Sequence, residues 1–122
     1  MNWSTIFIVL AVLVVFFFIR RKSLISPDAA RQALKNGAVV IDVRTTEEYG
    51  SGHLPGTVNI PLSELSGRIP TVCSDKNRVL LLHCLSGGRS GMAIGTLKSL
   101  GYTHAYNLGS YGRADGILDG KQ

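Results

Sequence analysis

The sequence predicts an α/β fold for residues 23–122, with an open parallel sheet covered by helices on both faces. Two observations lead to this prediction. Short apolar runs alternate with segments of helical character, and the runs at residues 39–43 and 79–83 are apolar at nearly every position. Strands of that kind are buried on both sides, as they are in parallel sheets between two layers of helices. A segment of about 100 residues has the usual size of one domain.

The N-terminal segment is predicted to be one transmembrane helix that precedes this domain. Residues 6–19 are all apolar, and Trp3 extends the segment outward. A helix over residues 3–19 is about 25 Å long, which is sufficient for the hydrocarbon core of a bilayer. Basic residues occupy positions 20–22, and the positive-inside rule then places residues 23–122 in the cytoplasm. We therefore expect a single-pass protein of the inner or cell membrane.

These predictions divide the chain into residues 1–22, which form a transmembrane helix and its basic flank, and residues 23–122, which form the folded domain. An atypical signal peptide that exports the domain is the alternative for the first part. A signal peptide carries its positive charges before the apolar run and a small-residue cleavage site after it, and the sequence has neither.

The charge balance and the number of cysteines argue against nucleic-acid binding, a disulfide framework and a zinc site. The chain has 13 basic and 8 acidic residues, but three of the basic ones flank the predicted membrane helix. The remaining balance is close to neutral, so we expect no nucleic-acid partner. The two cysteines, Cys73 and Cys84, are too few for a disulfide framework and lack the spacing of a zinc site. A single bridge between them is left open, although a cytoplasmic setting disfavours disulfides.

The first half of the domain begins with a helix. Ser26 is a predicted N-cap and Pro27 suits the first helical position, while an Asn-Gly pair ends the helix ten residues later. The apolar run 39–43 is predicted to be a buried strand because turn residues bound it. A short helix is expected from residue 45 to 49, and a second strand over residues 57–60.

The second half continues the alternation. A helix is expected over residues 63–69, and the strand 78–83 follows a polar turn. Residues 90–100 are predicted to be helical, and the side chains expected on the buried face are those of Met92, Ile94, Leu97 and Leu100. A last strand is expected over residues 104–108. The glycine-rich remainder is predicted to be a loop with one helical turn.

The segment that carries chemistry is the loop 84–90 (CLSGGRS), which joins the strand 78–83 to the helix 90–100. In open parallel sheets, ligands bind beyond the carboxyl ends of the strands. The paired glycines permit a tight turn in which several N–H groups face one point. The helix N-terminus and Arg89 add positive charge there, which favours the thiolate form of Cys84. We therefore predict an anion site around a nucleophilic sulfur.

Several blocks of the sequence resemble the rhodanese domain family, and they occur in the same order. The blocks are residues 41–44 (IDVR), 48–49 (EY), 52–56 (GHLPG), 59–61 (NIP), 84–90 (CLSGGRS), 101–102 (GY) and 107–109 (NLG). Together they cover nearly all of residues 24–122, and the similarity is greatest to the small single-domain, phage-shock type of rhodanese. The resemblance implies a rhodanese-like parallel sheet of about five strands flanked by helices, and a thiosulfate:acceptor sulfurtransferase activity.

The resemblance also implies a mechanism. Thiolate Cys84 is expected to attack the outer sulfur of thiosulfate or another sulfane donor, to release sulfite and to hold the sulfur as a persulfide. A thiol or cyanide would then collect that sulfur, which predicts ping-pong kinetics. Substrate is expected to contact the loop amides and side chains of Leu85, Ser86, Gly87, Gly88, Arg89 and Ser90. No metal or organic cofactor is called for.

Polar residues before the loop are expected to support it. Asp42 or Glu48 is expected to hold the guanidinium of Arg89, and Asp42 with Arg44 is expected to brace the loop rather than to react. His53 is expected to be a hydrogen-bonded turn residue. The alternation of side chains along a strand points His83 to the face opposite Cys84, so it is a poor candidate for a general base.

Three further positions differ from the family pattern or have an open role, and two other function classes remain possible interpretations of the sequence. Leu85 stands where many family members have arginine, which leaves the physiological sulfur donor open, and Tyr111 stands near a position where many have tryptophan. Cys73 is expected to be an exposed thiol without a role, rather than one that resolves a persulfide. Two other function classes stay open: a membrane-tethered docking module without catalysis, and a phosphatase or arsenate reductase of related fold, whose loop would place arginine one residue later than Arg89.

Overall fold

A computed structural model of the chain describes the backbone of residues 2–22 and 24–120, and the side chains of residues 2–18 and 24–120. Helices and strands alternate in the domain, as the sequence predicts. In chain order the elements are α1 (Trp3–Lys22), α2 (Pro27–Lys35), β1 (Val39–Asp42), α3 (Thr46–Ser51), β2 (Thr57–Asn59), a 3-10 turn (Leu62–Glu64), α4 (Leu65–Val72), β3 (Leu80–His83), α5 (Gly88–Ser99), β4 (Ala105–Gly109) and α6 (Tyr111–Leu118).

The strands form one parallel sheet in the order β2-β1-β3-β4. Among the described residues the sheet has four strands rather than the expected five. Leu24 makes a single parallel bridge to Asn107 at the outer edge of β4, and the N–H of Ile25 donates to the carbonyl of Asn107 at 3.0 Å. Helix α2 begins at Pro27, so the chain leaves this edge before a fifth strand can form.

Helices cover both faces of the sheet, as expected. Leu80 and Leu82 of β3 pack against residues of α4 and α5, whereas Leu81 packs against residues of α2 and α6. This alternation follows from the strand period of two. The two apolar clusters bury side chains such as Ile41, Ile60, Leu65, Ile69 and Leu97 on one face, and Ala30, Val40, Leu108, Ala114 and Ile117 on the other.

The N-terminal helix α1 runs from Trp3 to Lys22. Within the described part of the chain, no helix combines the length and the apolar character that crossing a bilayer requires. The expected transmembrane helix over residues 3–19 is therefore not supported by the structure.

Three sequence predictions are wrong in detail. The segment after residue 109 is the helix α6, because Ser110 caps it by accepting the N–H of Arg113 at 3.2 Å. Met92 is 67% exposed, since α5 places small side chains, those of Ser90 and Ala93, against the sheet. Cys73 is buried at 6% exposure, because α4 extends to Val72 and carries it into the core instead of ending at residue 69.

Candidate active site

Cys84 lies at the carboxyl end of β3, where the sequence places it. Its backbone N–H donates to the carbonyl of Gly109 at 3.3 Å, and its side chain has no exposed surface. Gly87 follows with a left-handed backbone (φ 95°), and α5 begins at Gly88. The chain therefore curls around the sulfur in four residues and then points the first amides of a helix toward it.

Hydrogen-bond donors converge on the sulfur of Cys84. The N–H of Gly87 lies 3.0 Å from Sγ, and the N–H of Ser90 lies 3.5 Å from it. The hydroxyl oxygen of Ser90 is also 3.5 Å from Sγ. Burial raises the pKa of the Cys84 thiol, but the Ser90 hydroxyl and the amides of Ser90, Gly87 and Ser86 outweigh burial and bring the pKa below its usual value. The site thus favours the reactive thiolate.

Arg89 is held by Glu48, the second of the two carboxylates expected to hold it. The two nitrogens Nη1 and Nη2 donate to the two carboxylate oxygens at 2.6 and 3.1 Å. Glu48 also accepts the N–H of Thr45 at 3.0 Å, and Thr45 accepts the N–H of Glu48 at 3.2 Å, which is a capping box at the start of α3. The Arg89 bond is the main reason why the pKa of Glu48 falls to about 2.

We expect the pairing of Glu48 with Arg89 to stabilise the fold in a pH-dependent way. The pKa of Glu48 is lower in the folded state (about 2) than its ordinary value of 4.5, so the contribution is present above pH 4.5 and is lost as the pH falls toward 2. Glu48→Gln keeps an oxygen for the capping box but removes the charge. In urea denaturation the variant should be less stable than the natural protein near neutral pH, and the difference should vanish at acidic pH.

Glu47→Gln provides the matched control, because Glu47 is an exposed carboxylate in the same first turn of α3. Its stability difference from the natural protein should be smaller than that of Glu48→Gln at neutral pH. A Glu48→Gln difference that stays constant from neutral to strongly acidic pH would contradict the role assigned to this ion pair.

Asp42 and Arg44 form a buried pair beside the loop. Nε of Arg44 lies 3.1 and 3.0 Å from the two carboxylate oxygens, and Nη2 lies 2.9 Å from Oδ2. Hydrogen bonding to Asp42 raises the pKa of Arg44. Arg44 also donates to the carbonyl of Gly52 at 2.8 Å, and its guanidinium lies 4.8 Å from the ring centre of Tyr111. The pair joins the end of β1 to α6 and to the turn after α3. Its expected role in bracing the loop 84–90 stays a prediction.

The histidines are placed as expected. Nδ1 of His53 lies 3.0 Å from the carbonyl oxygen of Tyr49, and the two rings stack at 3.8 Å. His83 is fully buried on the face of β3 opposite Cys84, edge-on to the ring of Tyr111 at 5.9 Å. Burial lowers the pKa of His83 and outweighs the opposite effect of Asp42, whose Oδ2 lies 3.9 Å from Nε2. Neither ring nitrogen of His83 has a hydrogen-bond partner among the described residues.

The loop residues after Cys84 contact the domain through their backbones. Leu85 is 58% exposed, yet its carbonyl accepts the N–H of Tyr111 at 3.1 Å. Ser86 forms an antiparallel bridge with Ser110. A cleft of about 300 Å³ opens beside the loop, and its lining residues are Val43, Thr45, Pro61, Leu62, Ser63 and Arg89. Among the described residues, no group of three or more His, Cys, Asp and Glu side chains is arranged to hold a metal ion.

One residue of the site and one residue that anchors the C-terminal helix do not follow from the sequence predictions. Asn107 of β4 is 3% exposed and bonds to the Ser90 hydroxyl at 2.7 Å. Arg113 of α6 donates to the carbonyls of Leu108 and Ile25 at 2.7 and 2.5 Å, and so ties the C-terminal helix to the sheet edge. A polar residue inside a predicted buried strand was the available signal for Asn107. No local pattern marked Arg113.

Gly87 is required by its left-handed backbone and by its neighbour. A Cβ at this position would lie 3.4 Å from two backbone atoms of Gly109. We expect Gly87→Ala to lower the free energy of unfolding by about 1–2 kcal/mol, the usual cost of this conformation for a residue with a Cβ. The displaced amide should also raise the pKa of the Cys84 thiol and slow its alkylation at neutral pH.

Gly95→Ala is the control for Gly87→Ala. Gly95 lies inside α5, and a Cβ there would meet nothing within 4 Å. This change should raise the free energy of unfolding by about 0.5–1 kcal/mol, because alanine favours helices, and should leave alkylation unchanged. Equal stability of Gly87→Ala and the natural protein would show that the turn tolerates a Cβ.

Comparisons with known proteins agree with this geometry. Residues 26–111 match the family model described as "Rhodanese-like domain". Thiosulfate sulfurtransferase PspE of Escherichia coli K12 is 45% identical over 69 residues, which are 57% of this chain and 66% of PspE. Thiosulfate sulfurtransferase GlpE of Ectopseudomonas mendocina is 31% identical over 84 residues, which are 69% of this chain and 75% of GlpE.

A solved structure shows the same fold. The human single-domain sulfurtransferase TSTD1 superposes with a TM-score of 0.64 at 31% identity, and the match covers 82% of this chain and 98% of TSTD1. The family match includes the loop around Cys84, the supporting pair of Asp42 and Arg44, and all four strands. The chain therefore belongs to the rhodanese-like domain family, and its similarity to PspE, GlpE and TSTD1 places it with the rhodanese-type transferases of that family.

Proposed function

We propose that the protein carries sulfane sulfur on Cys84 from thiosulfate or a persulfide donor to a thiol or cyanide acceptor. The observation that carries this proposal is the convergence of the Gly87 and Ser90 donors on one buried sulfur. Fixed N–H groups aimed at one atom stabilise negative charge on it without reorganisation during the reaction. A sulfur that alternates between thiolate and persulfide needs such an environment in both half-reactions.

Each half-reaction is a displacement at sulfur. Thiolate Cys84 attacks the outer sulfur of the donor, the S–S bond of the donor breaks, and its electron pair leaves with sulfite or with a thiolate. The new bond joins Sγ to the transferred sulfur. The acceptor thiolate or cyanide then attacks that sulfur, and the electron pair of the breaking bond returns to Sγ. No external oxidant or reductant is consumed.

The charges around the loop favour a donor with less charge than thiosulfate. Arg89 is the basic residue of the loop 84–90, and Glu48 already balances its charge through two hydrogen bonds. Leu85, at the exposed position next to the sulfur, adds no charge. A dianion would therefore have only the loop amides to stabilise both of its charges. We propose that a persulfide loads Cys84 faster than thiosulfate does.

The test is the intact mass of the protein, followed over time during incubation with thiosulfate or with cysteine persulfide, which carries less charge. We expect a gain of one sulfur atom that a thiol or cyanide then removes. Cys73→Ser is the matched control, because Cys73 is the other cysteine and is also buried, and it should load normally. Absence of loading with every sulfane donor would favour a docking module, and turnover of an aryl phosphate would favour a phosphatase.

We also propose that residues 3–19 attach the protein to a membrane, with residues 23–122 as the domain on its cytoplasmic side. Support comes from the exposed apolar side chains of α1, among them those of Phe7, Leu13 and Phe17. Water would not favour so much exposed apolar surface on one helix. The protein should stay in the membrane fraction after alkaline extraction, and a reporter fused after Gln122 should be active in the cytoplasm. A protein released by alkaline extraction, or an active reporter outside, would contradict this.

A further inference from the structure

The hydroxyl group of Ser90 lies between competing acceptors. Its oxygen is 2.7 Å from Oδ1 of Asn107, 3.2 Å from the carbonyl of Gly87 and 3.5 Å from Sγ of Cys84. A hydroxyl has one proton, so it donates to one of these atoms at a time. The amide oxygen has no hydrogen of its own, so two oxygens only 2.7 Å apart need the Ser90 proton between them. In this arrangement the hydroxyl donates to Asn107.

The side chain of Asn107 is fixed, so it cannot follow the hydroxyl. The N–H of Gly109 donates to Oδ1 at 2.8 Å, which identifies that atom as the oxygen. On the other side, Nδ2 donates to the carbonyl of Gly87 at 3.3 Å. Asn107 is 3% exposed and sits in the middle of β4. Its amide oxygen is therefore a permanent acceptor beside the sulfur site.

The two acceptors suit different states of Cys84. While Ser90 donates to Asn107, its oxygen presents a lone pair to Sγ. A neutral thiol can donate its S–H to that lone pair, but a thiolate is repelled by it. When Sγ is an anion, rotation about the Cβ–Oγ bond of Ser90 brings the proton to the sulfur, and the bond to Asn107 is lost. Charge-assisted hydrogen bonds are stronger than neutral ones, so the anion can compete for the proton.

We propose that Asn107 is a positioning residue, which holds the Ser90 hydroxyl on its amide oxygen while the Cys84 sulfur is neutral and releases it when that sulfur becomes an anion. The hydrogen bonds of the Asn107 side chain join it to Ser90, Gly87 and Gly109 rather than to Sγ, so it acts through Ser90. The rotation moves no proton between residues and makes or breaks no covalent bond.

The consequence for catalysis rests on the proposed persulfide mechanism. When an acceptor thiolate takes the outer sulfur, the S–S bond breaks and its electron pair stays on Sγ, so Cys84 leaves as a thiolate. Ser90 then turns from Asn107 to that thiolate and stabilises it. Because Asn107 competes for the same proton, it keeps Cys84 a more basic thiolate. A more basic thiolate is the stronger nucleophile toward the donor and the poorer leaving group.

The test is the pH dependence of Cys84 alkylation by iodoacetamide, read from the mass of the Cys84 peptide so that Cys73 does not interfere. Asn107→Leu removes the competing acceptor at similar volume. The alkylation profile should move to lower pH, and the rate at mildly acidic pH should rise roughly threefold, because the thiolate fraction gains more than its nucleophilicity loses. Ser90→Ala should move the profile to higher pH, and the double variant should behave like Ser90→Ala.

The direction in which Asn107→Leu moves the alkylation profile distinguishes a positioning role from a merely structural one. If Asn107 only kept the loop in shape, Asn107→Leu would weaken the Gly87 donor and would move the profile to higher pH, as Ser90→Ala does, and this result would overturn the proposal. Asn107→Asp covers the case in which the leucine variant does not fold. Its carboxylate should hold the hydroxyl more firmly and raise the midpoint, and Ser90→Ala should remove part of that increase.

Alkylation requires no sulfur donor, so its outcome does not depend on the proposed function. A profile that moves as expected in a protein that no sulfane donor loads would support the role of Asn107 and contradict the sulfur-transfer proposal. A protein that loads normally, with an alkylation profile unaffected by Asn107→Leu and Asn107→Asp, would support the sulfur-transfer proposal and contradict the role of Asn107.

Discussion

Replacing Cys84 by serine is expected to abolish sulfur loading and to lower turnover with thiosulfate and cyanide by roughly a thousandfold or more. The donors around Sγ lower the pKa of a thiol, whose deprotonation is already accessible near neutral pH. A serine hydroxyl in the same place stays protonated, because His83 lies on the other face of the strand and no other base among the described residues hydrogen-bonds to position 84. Turnover should be followed by thiocyanate formation, and loading by intact mass.

The control for Cys84→Ser must show that the fold survives. Serine is close to cysteine in size, so the urea midpoint of the variant should stay near that of the natural protein. Cys73→Ser tests the other thiol under the same conditions and should retain turnover. If Cys84→Ser kept even a tenth of the natural turnover, the sulfur would have to travel on another nucleophile, and the assignment of Cys84 would be wrong.

Asp42→Ala is expected to lower the free energy of unfolding by about 3–5 kcal/mol, the usual cost of removing one partner of a buried ion pair. Arg44 is 6% exposed, and Asp42 has no exposed surface. The variant would leave a buried guanidinium without its counter-charge, and it would remove three side-chain bonds and the bond from the Arg44 N–H to Oδ1. Urea denaturation at neutral pH measures the loss.

The chain offers a matched control in the exposed pair of Glu64 and Arg68. Their N–O distance is 3.4 Å, and about half of each side chain is exposed to solvent. Glu64→Ala should change the free energy of unfolding by less than about 0.5 kcal/mol, as is usual for surface pairs one helical turn apart. Similar losses for Asp42→Ala and Glu64→Ala would show that burial does not govern the energetics of the Asp42–Arg44 pair.

The parts of the structure that the sequence predicts well are those specified by local signals. Ser26 and Pro27 mark the start of α2, as the hydrogen bond that Ser26 accepts from Ala29 confirms. The apolar residues of β3 predict a strand that is buried on both sides. Cys84 follows from the same reasoning, because a loop between a buried strand and a helix can only lie at the carboxyl edge of the sheet.

The parts that it does not predict depend on contacts between distant residues. Asn107 meets Ser90 only after β4 has paired with β3, and Arg113 meets Ile25 across 88 positions of the chain. The sequence places Cys73 beyond the end of a helix at residue 69, whereas in the structure α4 extends to Val72 and Cys73 lies in the core. The helix α6 contains two glycines, which lower helix propensity, and its stability comes from packing on the sheet and from the Ser110 cap.

In this loop, substrate specificity and thiol reactivity depend on different groups, whereas in many enzymes the same groups determine both. The hydrogen bonds of the sulfur come from the amides of Gly87 and Ser90 and from the Ser90 hydroxyl, and Leu85 contributes to the fold through its carbonyl. A substitution at Leu85 or Ser86 can thus alter which donors and acceptors enter without touching the groups that make the thiol reactive. Such a loop lets evolution, or an engineer, vary specificity by surface mutations while reactivity is inherited unchanged.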